Sequence, residues 1–216
     1  MLTLRNIPRR LRRRAPLAGA EHTSVLDLFN AAVRRPESHG GLARLPLLLD
    51  ALAEDEARPD GTHWIPDDNS RLTMTTLLRD CYPEPEIHVV AAEYGAAAHA
   101  RGWLRLDRTL RTREYTNLVM TAEDWAESDR TFDDVLQAYG RPSVVFGDPD
   151  PRWPKTLGYA CGDRAAELAV FHFGEAGDAR SARLLALRGG VGRYGESMGF
   201  TPFGHVFVDE RKKRDH

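Results

Sequence analysis

The segment from Thr131 to Phe173 constrains the fold more than any other stretch, because it dictates a helix, its abrupt end and a succession of strands. Thr131 is suited to accept from the first free amides of a helix, and Asp133 and Asp134 sit where the helix dipole favours negative charge. Gly140 suits the cap at the far end, and Pro142 forbids the helix to resume. Val144 to Phe146 then reads as a β-branched strand, and Leu157, Tyr159 and Cys161 alternate onto one face of the next. After a turn at Gly162-Asp163, Ala169, Phe171 and Phe173 oppose Leu168, Val170 and His172 on a third strand. Arg183 to Arg188 and His205 to Val208 are further strand candidates.

The residues before this unit read mainly as helices. One begins at Thr23 or Ser24, with Val25, Leu28, Phe29 and Ala32 on one face, and ends at Pro36. A second covers about Leu45 to Ala57 with Pro46 in its first turn, and a third covers Arg71 to Tyr82. Ile87 to Arg101 stops at Gly102, with a buried stripe of Ile87, Val90, Ala91, Tyr94, Ala97 and Ala98. Trp103 to Leu106 and Tyr115 to Val119 read as strands, and Thr121 to Tyr139 reads as helix broken near Ser128. Helices first and a meander later give an α+β fold: N-terminal helices followed by a helix plus an antiparallel β-meander. The organisation that follows is a flexible arm over 1–20, a single domain over 21–208 (subdivided near 120 in the alternative) and a charged tail over 209–216.

Charge is spread unevenly. The formal charge of −2 gives the whole molecule no reason to seek nucleic acid, yet residues 1–20 carry Arg5, Arg9, Arg10, Arg12, Arg13 and Arg14 without an acid. That local +6 leaves −8 for the rest. The arm reads either as a solvated tail or as a phosphate tether, with Arg9, Arg10, Arg12, Arg13 and Arg14 as its contacts. It lacks the apolar core of a secretory signal, and no apolar run is long enough to span a membrane. Cys81 and Cys161 are too few for a zinc site and fit the free thiols of a reducing cytoplasm. Only Lys155, Lys212 and Lys213 accompany the arginines, a skew typical of GC-rich bacterial coding sequence.

Two glycine motifs overlap near the C-terminus. Gly190-Val191-Gly192-Arg193-Tyr194-Gly195 matches a dinucleotide loop, and Gly195-Glu196-Ser197-Met198-Gly199 matches a nucleophile elbow. Gly199 and Pro202 spoil the helix that the first requires, and glycines replace the strand that must precede the second. Both read as turns. None of the eight histidines has the helical spacing of a metal pair. His172, between Phe171 and Phe173, is the one candidate for a metal-dependent hydrolase or nuclease, with Asp148, Asp150 or Asp163 as carboxylates and Lys155 near them. Its competing reading is an exposed or hydrogen-bonded strand histidine. No cofactor and no metal is implied.

Between Thr121 and Tyr139 the acids Glu123, Asp124, Glu127, Asp129, Asp133 and Asp134 face Arg130 alone, with Trp125, Phe132 and Tyr139 among them. One reading is a solvated helix surface with dipole-favoured acids. The other is a binding face of Glu123, Asp124, Trp125, Glu127, Asp129, Asp133 and Asp134, on which charge steers a basic partner and an aromatic anchors it.

The run Phe132-Asp133-Asp134-Val135-Leu136, Tyr139-Gly140 and Pro142, then Lys155-Thr156-Leu157-Gly158-Tyr159, then Leu168, Val170 and Phe173, resembles small bacterial immunity proteins of polymorphic-toxin systems. Outer-membrane assembly lipoproteins use a similar unit, but this chain lacks their signal cysteine, and Tyr139 stands where the pattern has leucine. The resemblance implies protein binding without catalysis and transfers no site residue. The sequence therefore points to a cytoplasmic, non-enzymatic binder of a protein with a basic surface, of the toxin-neutralising kind.

Overall fold

Five strands pair in strict sequence order in the computed structural model, each antiparallel to the last. They are β1 (Val144–Gly147), β2 (Lys155–Tyr159), β3 (Ala169–Gly174), β4 (Arg183–Arg188) and β5 (Met198–Phe200). Among the described residues, five α-helices precede them: α1 (Gly19–Arg34), α2 (Arg44–Asp55), α3 (Ile87–Arg101), α4 (Thr112–Trp125) and α5 (Phe132–Tyr139). A sixth, α6 (Pro202–Arg214), follows. The structure describes residues 19–55, 75, 78, 82, 85–175, 181–189 and 197–214. The architecture is the expected α+β arrangement, N-terminal helices and an antiparallel meander.

Both faces of the sheet are covered, which is why every residue of β2 and β3 is buried. Alternation sends Leu157, Tyr159, Ala169, Phe171 and Phe173 to one face, where Leu118 and Ala122 of α4 and Phe132 and Val135 of α5 meet them. Val144, Phe146, Leu168 and Val170 point the other way, into a core shared with α1, α2 and α3. Strand β4 departs from this alternation. The register passes from His172 opposite Ala186 to Phe173 opposite Leu184, leaving Leu185 unmatched. This bulge puts Leu184 and Leu187 on the α4–α5 face although they are three residues apart, and turns Leu185 and Ala186 to the α3 face.

The bulge also anchors α6. Thr201 donates its N–H to the Leu185 carbonyl (3.0 Å) and its hydroxyl to that of Leu184 (2.7 Å), and accepts from the Gly204 N–H (3.0 Å). One side chain thus caps the helix and ties it to the strand.

Helix α3 lies deepest. His88 to Gly95 is buried without interruption, so the expected one-sided stripe is corrected to burial all round. Its small residues let the backbone approach the sheet; a methyl group on Gly95 would lie 2.5 Å from the Phe146 ring. The helix ends at Gly102 in the left-handed conformation (φ +76°), as its sequence requires. Helix α5 has the Thr131–Asp134 capping box and a positive φ at Gly140.

Other expectations change. Tyr115 to Val119 lies within α4 and not in a strand, because Leu118 and Ala122 recur at helical spacing against the sheet. Trp103 to Leu106 is irregular, and the helical break near Ser128 is present between α4 and α5. His205 to Val208 is helical, as is the charged stretch at 209–214. Most of Arg71 to Tyr82 lies outside the described residues, as do the arginine arm, Cys81 and Gly190 to Glu196. Cys161 is a buried free thiol. Among the described residues no helix is long and apolar enough to cross a membrane.

Candidate functional site

The acids between Thr121 and Tyr139 separate into two groups once they are placed on the elbow that joins α4 to α5. Asp134 accepts from the Thr131 N–H and hydroxyl, both at 2.8 Å; the Thr131 N–H, then its hydroxyl, holds the carboxyl below its usual range. Asp129 accepts from the Phe203 N–H at 2.7 Å, at the start of α6. These two acids cap helices. Glu123, Asp124, Glu127 and Asp133 are exposed, and among the described residues no salt bridge reaches them.

Their position on α4 carries a cost. Glu123 and Asp124 fall in the last turn, where the free carbonyls already concentrate negative potential, and no basic residue stands there. Acids at that end oppose the dipole, so the dipole-favoured reading holds for Asp133 and Asp134 alone. Met120, three and four residues before Glu123 and Asp124, shares their face and is 75% exposed. Trp125 is half-buried, edge-on to Tyr139 at 5.3 Å, with the Arg130 guanidinium 4.5 Å from its ring. Glu123 also rims a hollow of about 160 Å³ between α4 and the β4–β5 end of the sheet, floored by Leu118, Ala122, Leu187 and Met198.

His172 is the hydrogen-bonded strand histidine of the competing reading, buried rather than exposed. It is wholly buried on the α3 face of β3, and the carboxylates named as its partners are engaged elsewhere. Asp148 accepts from the Asp150 N–H (2.9 Å) and pairs with Arg35 (3.4 Å). Asp150 is chelated by Arg152, which, with its own N–H, holds the carboxyl down at about 2. Asp163 accepts from the Ala165 N–H in a turn. Lys155 is buried, yet it reaches the main-chain carbonyls of Asp148 (2.7 Å) and Asp150, not their carboxylates. Among the described residues no group of three or more His, Cys, Asp and Glu is arranged to hold a metal.

The partner that His172 does have is Thr156, whose Oγ1 lies 2.8 Å from His172 Nδ1 and 2.9 Å from His88 Nδ1. A threonine hydroxyl has one proton, so it donates to one ring and accepts from the Nδ1–H of the other. The two neutral imidazoles therefore hold opposite tautomers. Burial is the main force keeping them neutral: His88 is lowered to about 3, helped by Lys155 and Arg211, and His172 is lowered by burial, then by His88 and Arg188. Tyr82 stands edge-on to His172 at 6.3 Å, and its hydroxyl donates to Glu86, which also pairs with Arg211 at 2.6 Å. Arg188 and Glu93 form a buried pair at 3.0 Å between β4 and α3. Nothing in the sequence marks His88, 84 residues before His172, as its neighbour.

An open hollow of about 480 Å³ at the start of α3 is lined by Arg35, Glu37, Glu86, His88, Asp148 and Trp153, among others. Its charges are mixed. Ser197, from the second glycine motif, directly precedes β5 and does not stand at a strand-to-helix elbow. Comparison of the chain with protein-family models, curated proteins and solved structures gives no match.

Proposed function

We propose that this chain is a non-enzymatic protein-binding module that takes a basic partner on the α4–α5 elbow, in the manner of a toxin-neutralising immunity protein. The observation that carries the reading is the placement of Glu123 and Asp124 in the last turn of α4, against its dipole and with no salt bridge to either among the described residues, although the Arg130 guanidinium donates to the Trp125 carbonyl at that helix end (2.9 Å). Acids there weaken the helix by roughly 0.3–1 kcal/mol each, so their benefit lies outside the fold. Glu127 and Asp133 extend the same negative surface across the elbow, and Met120 and Trp125 supply apolar contact within it. A nucleic-acid-degrading toxin, basic where it meets phosphates, is the complementary partner.

The test first asks whether the gene adjacent to this one encodes a basic, toxin-like protein, and takes that product as the partner. Reversing Glu123, Asp124 and Glu127 to lysine should slow its association at least tenfold at low salt, and added salt should narrow the difference. An association rate unchanged by the reversals, measured on folded variants, refutes the elbow as the interface.

A further inference from the structure

We propose that the His88–Thr156–His172 chain is an acid-sensitive latch, which holds α3 on the sheet while both rings are neutral and releases it when they gain protons. The latch sits at the centre of the sheet's α3 face. Thr156 and His172 are directly paired in a cross-strand row that continues to Phe146 on one side and to Ala186 and Phe200 on the other. His88 is the α3 residue that joins this row. Each ring is bonded through Nδ1 to Thr156, and neither Nε2 has a hydrogen-bond partner. A second proton on the ring that donates to Thr156 would create a buried Nε2–H⁺ with no acceptor, and on the other ring it would occupy the Nδ1 to which the Thr156 hydroxyl donates, breaking that bond around a buried charge.

The surrounding charges reinforce this. Lys155 of β2, Arg188 of β4 and Arg211 of α6 all disfavour a charged imidazole here. Of the nearby acids, Glu93 of α3 is paired with Arg188, and Glu86 with Arg211 and the Tyr82 hydroxyl. Arg35, Glu37 and Asp148 lie along the hollow beside His88, with Arg35 and Asp148 paired to each other. His99, further along α3, is also lowered by burial and is a separate contributor.

The sign follows from proton counting. Both rings titrate lower in the closed form than in the open one, so the closed form is fully favoured above pH 6.5 and loses ground as pH falls toward 3. Each ring that becomes free to protonate favours opening by roughly tenfold per pH unit in that window, and the pair by roughly a hundredfold.

Native-state hydrogen exchange of the full chain at pH 6.5 and 5.0, corrected for intrinsic rates, tests the latch. The α3 amides from Val89 to Ala98 should lose protection by roughly a hundredfold or more, and fall below the β2 and β3 amides. His88→Asn and His172→Asn, which keep a polar atom near the Nδ1 position and leave His99 intact, should each remove about a tenfold share of that change. Protection of α3 that stays constant, or that falls together with β2 and β3 to one common value, overturns the proposal. The unmutated protein supplies a second check through imidazole ¹⁵N shifts. Two neutral rings of opposite tautomer at pH 7 support the latch, and a ring already charged in the folded protein at pH 6 refutes it.

Discussion

Gly204 of α6 rests on the main-chain carbonyl of Leu185, the residue that the β4 bulge leaves unmatched. A side chain at this position would collide with backbone atoms that cannot rotate away. Alanine normally gains about 1 kcal/mol over glycine inside a helix. Here Gly204→Ala should instead cost about 3 kcal/mol, since overpacking against backbone outweighs propensity. A urea midpoint that moves downward checks this, and one that moves upward shows that α6 stands further from the sheet.

Thr156→Val keeps the side-chain shape and removes only the hydroxyl shared by the two imidazoles. Two buried ring nitrogens then lose their partner, and the loss should be about 2–3 kcal/mol at pH 7. Thr156→Ser retains the hydroxyl and should cost about 1 kcal/mol, the worth of the missing methyl. Denaturant unfolding of the two variants side by side separates hydrogen bonding from packing.

The two classes of acid on the elbow should respond oppositely. Asp134→Ala removes the capping box of α5 and should destabilise by about 1 kcal/mol. Asp124→Ala relieves the unfavourable end of α4 and should be neutral or stabilising by about 0.5 kcal/mol. Thermal midpoints at low salt report both, and salt should shrink the second effect.

Lys155 predicts an unusual alkaline limb. Burial lowers its ammonium to about 8, against the favourable pull of Asp148 and Asp150. Between pH 8 and 10.5 the unfolded chain keeps a proton that the folded chain has lost, so the contribution of this residue grows as pH rises, at up to about 1.4 kcal/mol per pH unit. Tyr159 and Tyr115, both raised by burial and the latter to about 12, act in the opposite sense above pH 10. The stability difference between the natural chain and Lys155→Met should therefore rise from pH 8 to 10. A flat difference refutes the shift.

The strands were legible because their signals are local. The Thr131 cap, the Gly140–Pro142 exit and the alternation of Leu168 to Phe173 each rest on neighbours in the chain, and each is present in the structure. Tyr115 to Val119 and His205 to Val208 misled for a shared reason. Their β-branched and aromatic residues favour extended backbone, but the sheet supplies a helix-shaped surface on which Leu118 and Ala122, or Phe203 and Phe207, pack at helical spacing. The acids of the elbow were visible, whereas their division into helix caps and acids without a salt bridge required the helix ends to be placed. His88 carried no signal at all. Its significance comes from the register that brings Thr156 beside His172 and from the closeness of α3 that Gly95 permits.

The burial of α3 on nearly all sides has a consequence during biosynthesis. Its 15 residues leave the ribosome well before any strand of the sheet that will shelter them, since β1 begins only at Val144. A nascent chain halted near residue 140 would expose an apolar, alanine-rich rod with two histidines and a glutamate that have no interior to enter. Once the strands emerge they add one beside the next, so completing the sheet is what finally removes this helix from water.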